Sequence, residues 1–184
     1  MAATKTRKLT YADFVFIPDD GLRHESIDGE HYVSPSPVPR HQRIVGRLYL
    51  LIGTYLQAHH IGELFVAPLD VKLSEHDIVE PDLLYVASAR AGIVGDDNVQ
   101  GAPDLVIEIL SPSTRGRDLR LKRDRYEQQG VGEYWLVDPA SDRITVLRRV
   151  GDAYVEAGAY CPGAAFESPL FPNLSIAVDG IMAR

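Results

Sequence analysis

The sequence has one cysteine, Cys161, among 184 residues. No internal disulfide can form, and four-thiolate zinc sites are excluded. Long apolar runs are missing too. Nothing approaches the roughly 18 uninterrupted apolar residues that a membrane-crossing helix needs. The basic start, MAATKTRKLTYADF, is followed by no apolar stretch, so no secretory signal is expected and the expected location is cytoplasmic. Internal repeats, low-complexity tracts and linkers are absent. Surplus positive charge is absent as well: the formal net charge is −7. Nucleic-acid affinity comes mainly from cations that neutralise phosphates, so this balance argues against a tight, non-specific polyanion binder. It leaves room for an enzyme whose cations are confined to one face.

What is present is an ordinary globular composition, 45% hydrophobic and 24% charged. The length favours one domain over residues 1–184, large enough to bury a core without staples. An Asp-Gly pair in IDGE between extended stretches predicts an opening hairpin. HQRIVGRLYLLIGTYLQAHHIG predicts a long helix, with Ile44, Leu48, Leu51, Ile52, Tyr55 and Leu56 at three-to-four spacing and Gly62 as its stop. The prolines before it suit its approach. ELFVAPLDVKL and DIVEPDLLYVA, separated by SEH, predict a hairpin. LVIEIL predicts a strand, TRGRDLRLKRDRYEQQG a second helix with Gly130 just past its end, and EYWLVDP another strand. RITVLRR and AYVEAGAY predict a hairpin, and SIAV an edge strand. Strands interrupted by helices in this order argue for a mixed sheet in an α/β or α+β architecture.

Three acids stand in apolar surroundings on these strands: Asp82 in IVEPDLLYV, Asp104 at the start of PDLVIEIL, and Glu108 within it. An ionised Glu inside a strand covered on both faces is costly unless compensated. At about 3.3 Å per residue, Asp104 and Glu108 stand roughly 13 Å apart, too far to share one ion at about 2.1 Å per ligand. Asp104 therefore reads as a strand-opening residue or loop cap. Asp82 lies on another strand, and opposed side chains on neighbouring strands come within about 5 Å, close enough to share a cation. The competing reading is a buried salt bridge from Glu108 to an Arg or Lys.

The second helix adds to both. Asp118, Lys122 and Tyr126, spaced four apart, form one stripe, so Lys122 can reach back toward the strand. Between Arg115 and Arg125 six basic and two acidic residues give a local charge of +4. Charge runs are usually solvated helix surface. A basic helix beside buried carboxylates also suits phosphodiester chemistry, with metal on the scissile group and cations along the backbone. His41 opens the long helix and, as a lone His, reads as a cap or surface residue. Ser111 and Ser113 read as caps of the next helix. His59 and His60 face different directions and make a poor metal pair. Trp135 reads as core.

PDLVIEILSPSTRGRDLRLKRDRYEQQGVGEYWLVDP resembles the signature of the Uma-two family, a bacterial group described as restriction endonucleases within the PD-(D/E)XK nuclease superfamily. HESIDGEHYVSPSPVPRHQRIVGRL resembles that family's N-terminal block and EPDLLYV its Pro-Asp motif, so the resemblance covers residues 24 to 139. It implies an α/β fold of restriction-endonuclease-like type, a mixed central sheet flanked by helices. It implies a nuclease that hydrolyses phosphodiester bonds with Mg2+ or Mn2+, held by Asp82 and Glu108 with Glu25 as a further ligand. Lys122 matches a helix lysine that takes the place of the superfamily's strand lysine, since Leu110 stands two residues after Glu108. Arg115, Arg117 and Arg120 are then expected on the backbone phosphates of DNA, or of RNA, and a homodimer is expected by analogy with nucleases that cut both strands. The alternative is a non-catalytic module that keeps the fold and binds nucleic acid or a protein.

Overall fold

The computed structural model describes residues 7–183; residues 1–6, the first part of the basic start, and residue 184 lie outside them. The aliphatic run becomes β8 (Leu105–Ile109), buried at every position. It lies inside a six-stranded sheet of order β11-β10-β9-β8-β6-β3. The other strands of that sheet are β3 (Gly62–Val66), β6 (Leu83–Ala87), β9 (Glu133–Asp138), β10 (Arg143–Val150) and β11 (Ala153–Tyr160). β8 runs antiparallel to β6 and parallel to β9, so the sheet is mixed, as the alternation of strands and helices predicts. A parallel pair needs a crossover, and the helix after β8 supplies it.

Both faces of β8 are covered, by different partners. Leu105, Ile107 and Ile109 pack with Ile44, Leu48, Ile52 and Leu56 of α2 (Pro39–His59). Val106 and Leu110 share the opposite cluster with Ile27, Val71, Val79 and Tyr126. Side chains alternate along a strand, so Glu108 points to this second face. The predicted helical stripe is therefore the buried stripe of α2. Pro39 occupies the first turn, where its missing N–H costs nothing, and the helix ends at His60 in a left-handed conformation rather than at Gly62. Gly62 instead lies in β3, where an added Cβ would strike the Val86 carbonyl and the Tyr85 ring.

A smaller sheet of order β2-β1-β5-β4-β7 covers the second face. β1 (Arg23–Ile27) and β2 (Glu30–Ser34) form the predicted hairpin. Its Asp28 and Gly29 both have positive φ, 54° and 75°, as a two-residue turn of the primed type requires. β4 (Val71–Lys72) and β5 (Ile78–Val79) form a hairpin around Ser-Glu-His, and β7 (Val99–Gln100) completes the sheet. The two runs expected to pair with each other thus each divide between the sheets. Pro68 and Pro81 lie at the divisions, where a residue without an N–H cannot continue a ladder. Glu80-Pro81-Asp82 is consequently the crossing point from one sheet to the other.

The crossover helix is not uniform. α3 (Arg115–Arg117) passes into a π turn over Asp118–Lys122 and then into α4 (Arg123–Gln129), which stops at Gly130 with φ 88°. Ser111 caps its approach by accepting from the Thr114 amide. Ile176–Ala177, expected as an edge strand, pairs with Ala165–Phe166 in a separate ribbon, and Trp135 is fully buried. Among the described residues, no helix is long and apolar enough to cross a membrane.

Candidate active site

The register of the sheet brings two of the expected residues face to face. Leu83 pairs with Ile107 across β6 and β8, and one further step sets Asp82 opposite Glu108. β1 adds Glu25, whose Oε1 accepts from the Glu80 amide at 3.0 Å. The π turn adds Asp118 and Lys122. Widening one turn of a helix rotates the residues after it, and such turns recur at functional sites. Here it leaves both residues buried while Leu121 between them is exposed. Glu25, Asp82, Glu108 and Lys122 are each only 1–2% exposed. Together with Arg117 and Asp118 they line a cleft of about 420 Å³. A second cavity of about 290 Å³ shares Arg23, His41 and Asp82 with it.

Lys122 is the hub. Its Nζ lies 2.7 Å from Glu25 Oε1, closer still to Glu108 Oε1, and 3.9 Å from Asp118 Oδ1. The Tyr126 hydroxyl donates to the same Glu108 oxygen at 2.9 Å. The stripe read from the sequence therefore holds, and the Glu108–Lys122 salt bridge is formed. Asp82 is held otherwise. Its Oδ1 accepts from Arg23 at 2.9 Å, its Oδ2 accepts from the Ile109 amide at 2.8 Å, and His41 Nε2 lies 3.1 Å from Oδ2. Arg23 also meets Glu80 at 2.7 Å.

These contacts divide the acids. Burial alone would raise Glu25 and Asp82. Lys122 and Arg117 outweigh it at Glu25, and His41, Arg23 and the Ile109 amide outweigh it at Asp82, so both are held below the usual carboxylate range. Glu108 goes the other way: burial pushes it up to about 8, and Asp118, Asp82 and Glu25 add to the push that Lys122 opposes. Burial also raises Asp118. Lys122 is held above its ordinary value, because Glu108, Glu25 and Asp118 outweigh its burial. The ion pairs that join these groups involve five carboxylates (Glu25, Glu80, Asp82, Glu108, Asp118) and three permanent cations (Arg23, Arg117, Lys122); Arg40, which also lines the cleft, pairs instead with Asp142. One ammonium does not neutralise this centre.

Among the described residues, no three His, Cys, Asp or Glu side chains already surround one point as metal ligands. Glu25 and Glu108 close on Lys122, and Asp82 turns to Arg23. The arginines expected on phosphates are mostly engaged. Arg115 pairs with Asp138 at 2.8 Å, and Arg117 bonds Ser34 and lies 3.4 Å from Glu25. Arg120 is exposed and, among the described residues, has no ion pair. Asp104 behaves as a loop cap, accepting from the Ala87 amide and Arg90.

His41, expected at the surface or as a cap, is buried and belongs to the site. Its signal was its spacing: it lies three and four residues before Ile44 and Val45 on the buried stripe of α2. Arg23 went unread, although two residues before Glu25 on a strand is the same face.

The Uma2 family model, described as "Putative restriction endonuclease", matches residues 11–179. The chain belongs to the Uma2 (Uma-two) family. That extends the resemblance of residues 24 to 139 over nearly the whole sequence and supports a nuclease as its activity class. Among solved structures, the Uma2 chain is similar to a "putative nuclease belonging to DUF820" from Anabaena variabilis. The TM-score is 0.80 at 21% identity, over 95% of this chain and 97% of that one. At that identity the likeness speaks for the fold, the restriction-endonuclease-like architecture of a mixed sheet flanked by helices. No curated protein matches the chain.

Proposed function

We propose that residues 1–184 form one nuclease domain that hydrolyses phosphodiester bonds in DNA with a divalent cation, Mg2+ or Mn2+. The observation that carries this reading is the convergence of Glu25, Asp82, Glu108 and Lys122 in one cleft, from four separate elements of a nuclease-family chain. The donor set fits the cation: all-oxygen ligands suit hard divalent ions, and the surplus carboxylate charge around Glu108 calls for more positive charge than Lys122 brings. Asp82 and Glu108 would hold it, with Glu25 as a further ligand. Bound there, the cation supplies an acidified water and a polarised phosphate. Lys122 orients the attacking water and stabilises charge developing on the phosphate. Tyr126 fixes the Glu108 carboxylate by its hydrogen bond to Oε1. Arg120 contacts the flanking phosphates, while Arg115 and Arg117, expected beside it, keep their pairs with Asp138 and Glu25. A homodimer, which would allow both strands to be cut, completes the reading.

The test is cleavage of plasmid and of labelled DNA and RNA oligonucleotides with Mn2+ or Mg2+, comparing wild type with Asp82→Asn and Lys122→Ala. Removing one such charged group from a preorganised site is expected to lower cleavage by about 10²–10³-fold. Undiminished cleavage in either variant would overturn the residue assignments. Oligonucleotide binding without cleavage in wild type would favour the non-catalytic module.

A further inference from the structure

We propose that Arg23 occupies the cation's place on Asp82 in the cation-free protein, and that its release couples cation binding to capture of the substrate phosphate. The inference rests on the metal-dependent reading above and concerns how that site is regulated. It starts from Asp82, whose Oδ2 holds two partners while Oδ1 holds one, Arg23. A cation has room to bind at Oδ1, but there it stands against the Arg23 guanidinium, so like-charge repulsion makes Arg23 the partner that must yield.

The partners on Oδ2 are fixed. The Ile109 amide belongs to the backbone of β8 and cannot turn away without disrupting the central strand. His41 is seated on the buried stripe of α2. Oδ1 has one partner among the described residues, Arg23, whose side chain is 23% exposed against 3% for Asp82. Arg23 also has a second anchor, because its Nε lies 2.7 Å from Glu80 Oε1. It can therefore give up Asp82 without being left unpaired, and swing about the Glu80 contact. Lys122 has no comparable freedom, being buried among Glu25, Glu108 and Asp118.

The destination of the released group follows from its position. Arg23 lines both cavities, so the guanidinium N–H groups that leave Asp82 are next to the cleft that would take a phosphodiester. Guanidinium matches phosphate with paired N–H donors, which makes Arg a better phosphate partner than Lys. A cation on Asp82 also repels Arg23 from its former place. Cation and phosphate therefore each favour the same displaced state of Arg23, and linkage makes the effect reciprocal.

Calorimetric titration of Mn2+ into wild type, Arg23→Gln and Arg23→Lys tests this, with and without the dinucleotide dTpdT. Arg23→Gln removes the competitor and is expected to bind Mn2+ more tightly by about tenfold, within the usual range of coupling between sites. Wild type is expected to bind Mn2+ more tightly with dTpdT present, and Arg23→Gln to lose that enhancement. Arg23→Lys keeps the charge but lacks the separate nitrogens by which Arg23 holds Glu80 (Nε) and Asp82 (Nη1), so its Mn2+ affinity is expected between the two. It carries the comparison if Arg23→Gln fails to fold. Mn2+ binding to wild type that is unchanged or weaker in the variants overturns the inference and leaves the metal site standing. Absence of Mn2+ binding in all three overturns the metal-dependent reading and the inference together.

Discussion

An ionised carboxylate inside an aliphatic strand needs positive charge within reach, and Glu108 shares its one ammonium with Glu25 and Asp118. Its folded pKa near 8 lies above the ordinary value of 4.5. Between those values the folded protein keeps a proton that the unfolded chain has lost, so stability falls as pH rises from about 4.5 to about 8. Glu25 and Asp82, held low, act oppositely and only in acid: their stabilisation is present above the ordinary carboxylate range and is lost as pH falls below it. Thermal unfolding of cation-free protein should therefore show a melting temperature that declines from pH 5 to pH 8, by several degrees at 2–4 °C per kcal/mol for a chain of this size. Glu108→Gln should flatten the decline; parallel profiles for the two proteins would contradict the assignment. Asp82, Glu108 and Lys122 were legible because each carries its own sign: an acid in an apolar run, a Pro-Asp before a strand, a lysine on a stripe facing back. Arg23 and His41 offered only a shared face as a signal, and their meaning comes from a partner 59 or 41 residues away.

At the scale of elements, two irregularities make the site. Pro81 ends the short β5 ladder and hands the chain to the larger sheet, which places Asp82 where the two sheets meet. The π turn then presents Asp118 and Lys122 together. Three-to-four periodicity reads the stretch 114–130 as one helix and cannot show the widened turn, because an i, i+4 pair shares a face in either form. Deleting Leu121, which is 43% exposed, should let the turn relax to α geometry and, by shortening the segment, draw the Lys122 amine away from Glu25 and Glu108. The expected result is a folded protein whose cleavage is as low as that of Lys122→Ala, about 10²–10³-fold below wild type. Wild-type cleavage after the deletion would show that the π turn does not position the amine. The strands, the opening hairpin and both helices were legible from period and turn chemistry. The division of two strand-like runs between sheets was not, although the two prolines marked where it happens.

At the scale of the molecule, the acidic balance of −7 and the basic segment turn out to be one arrangement. Arg115 pairs with Asp138, Arg117 with Glu25, and Arg125 with Asp28 and Asp77, so most of the local +4 is answered from elsewhere in the fold. Charge counting along the sequence could not show this, because Asp138, Glu25, Asp28 and Asp77 come from distant segments. Of this segment's cations only Arg120 is without an ion pair among the described residues, and a released Arg23 can join it on the phosphates. At about 0.9 per neutralised phosphate, duplex binding should depend on salt with a log–log slope of about −2. Titrations of catalytically silent Lys122→Ala against a labelled duplex would measure it, and a slope of −5 or steeper would mean that the paired arginines open onto the DNA. The central claim is that Asp82 and Glu108 hold one divalent cation. An anomalous difference map at the manganese edge, from crystals soaked in Mn2+, tests it most directly. The account predicts one peak coordinated by both carboxylates, with Arg23 displaced from Asp82; no peak there, with Lys122 and Arg23 still on their carboxylates, would contradict it.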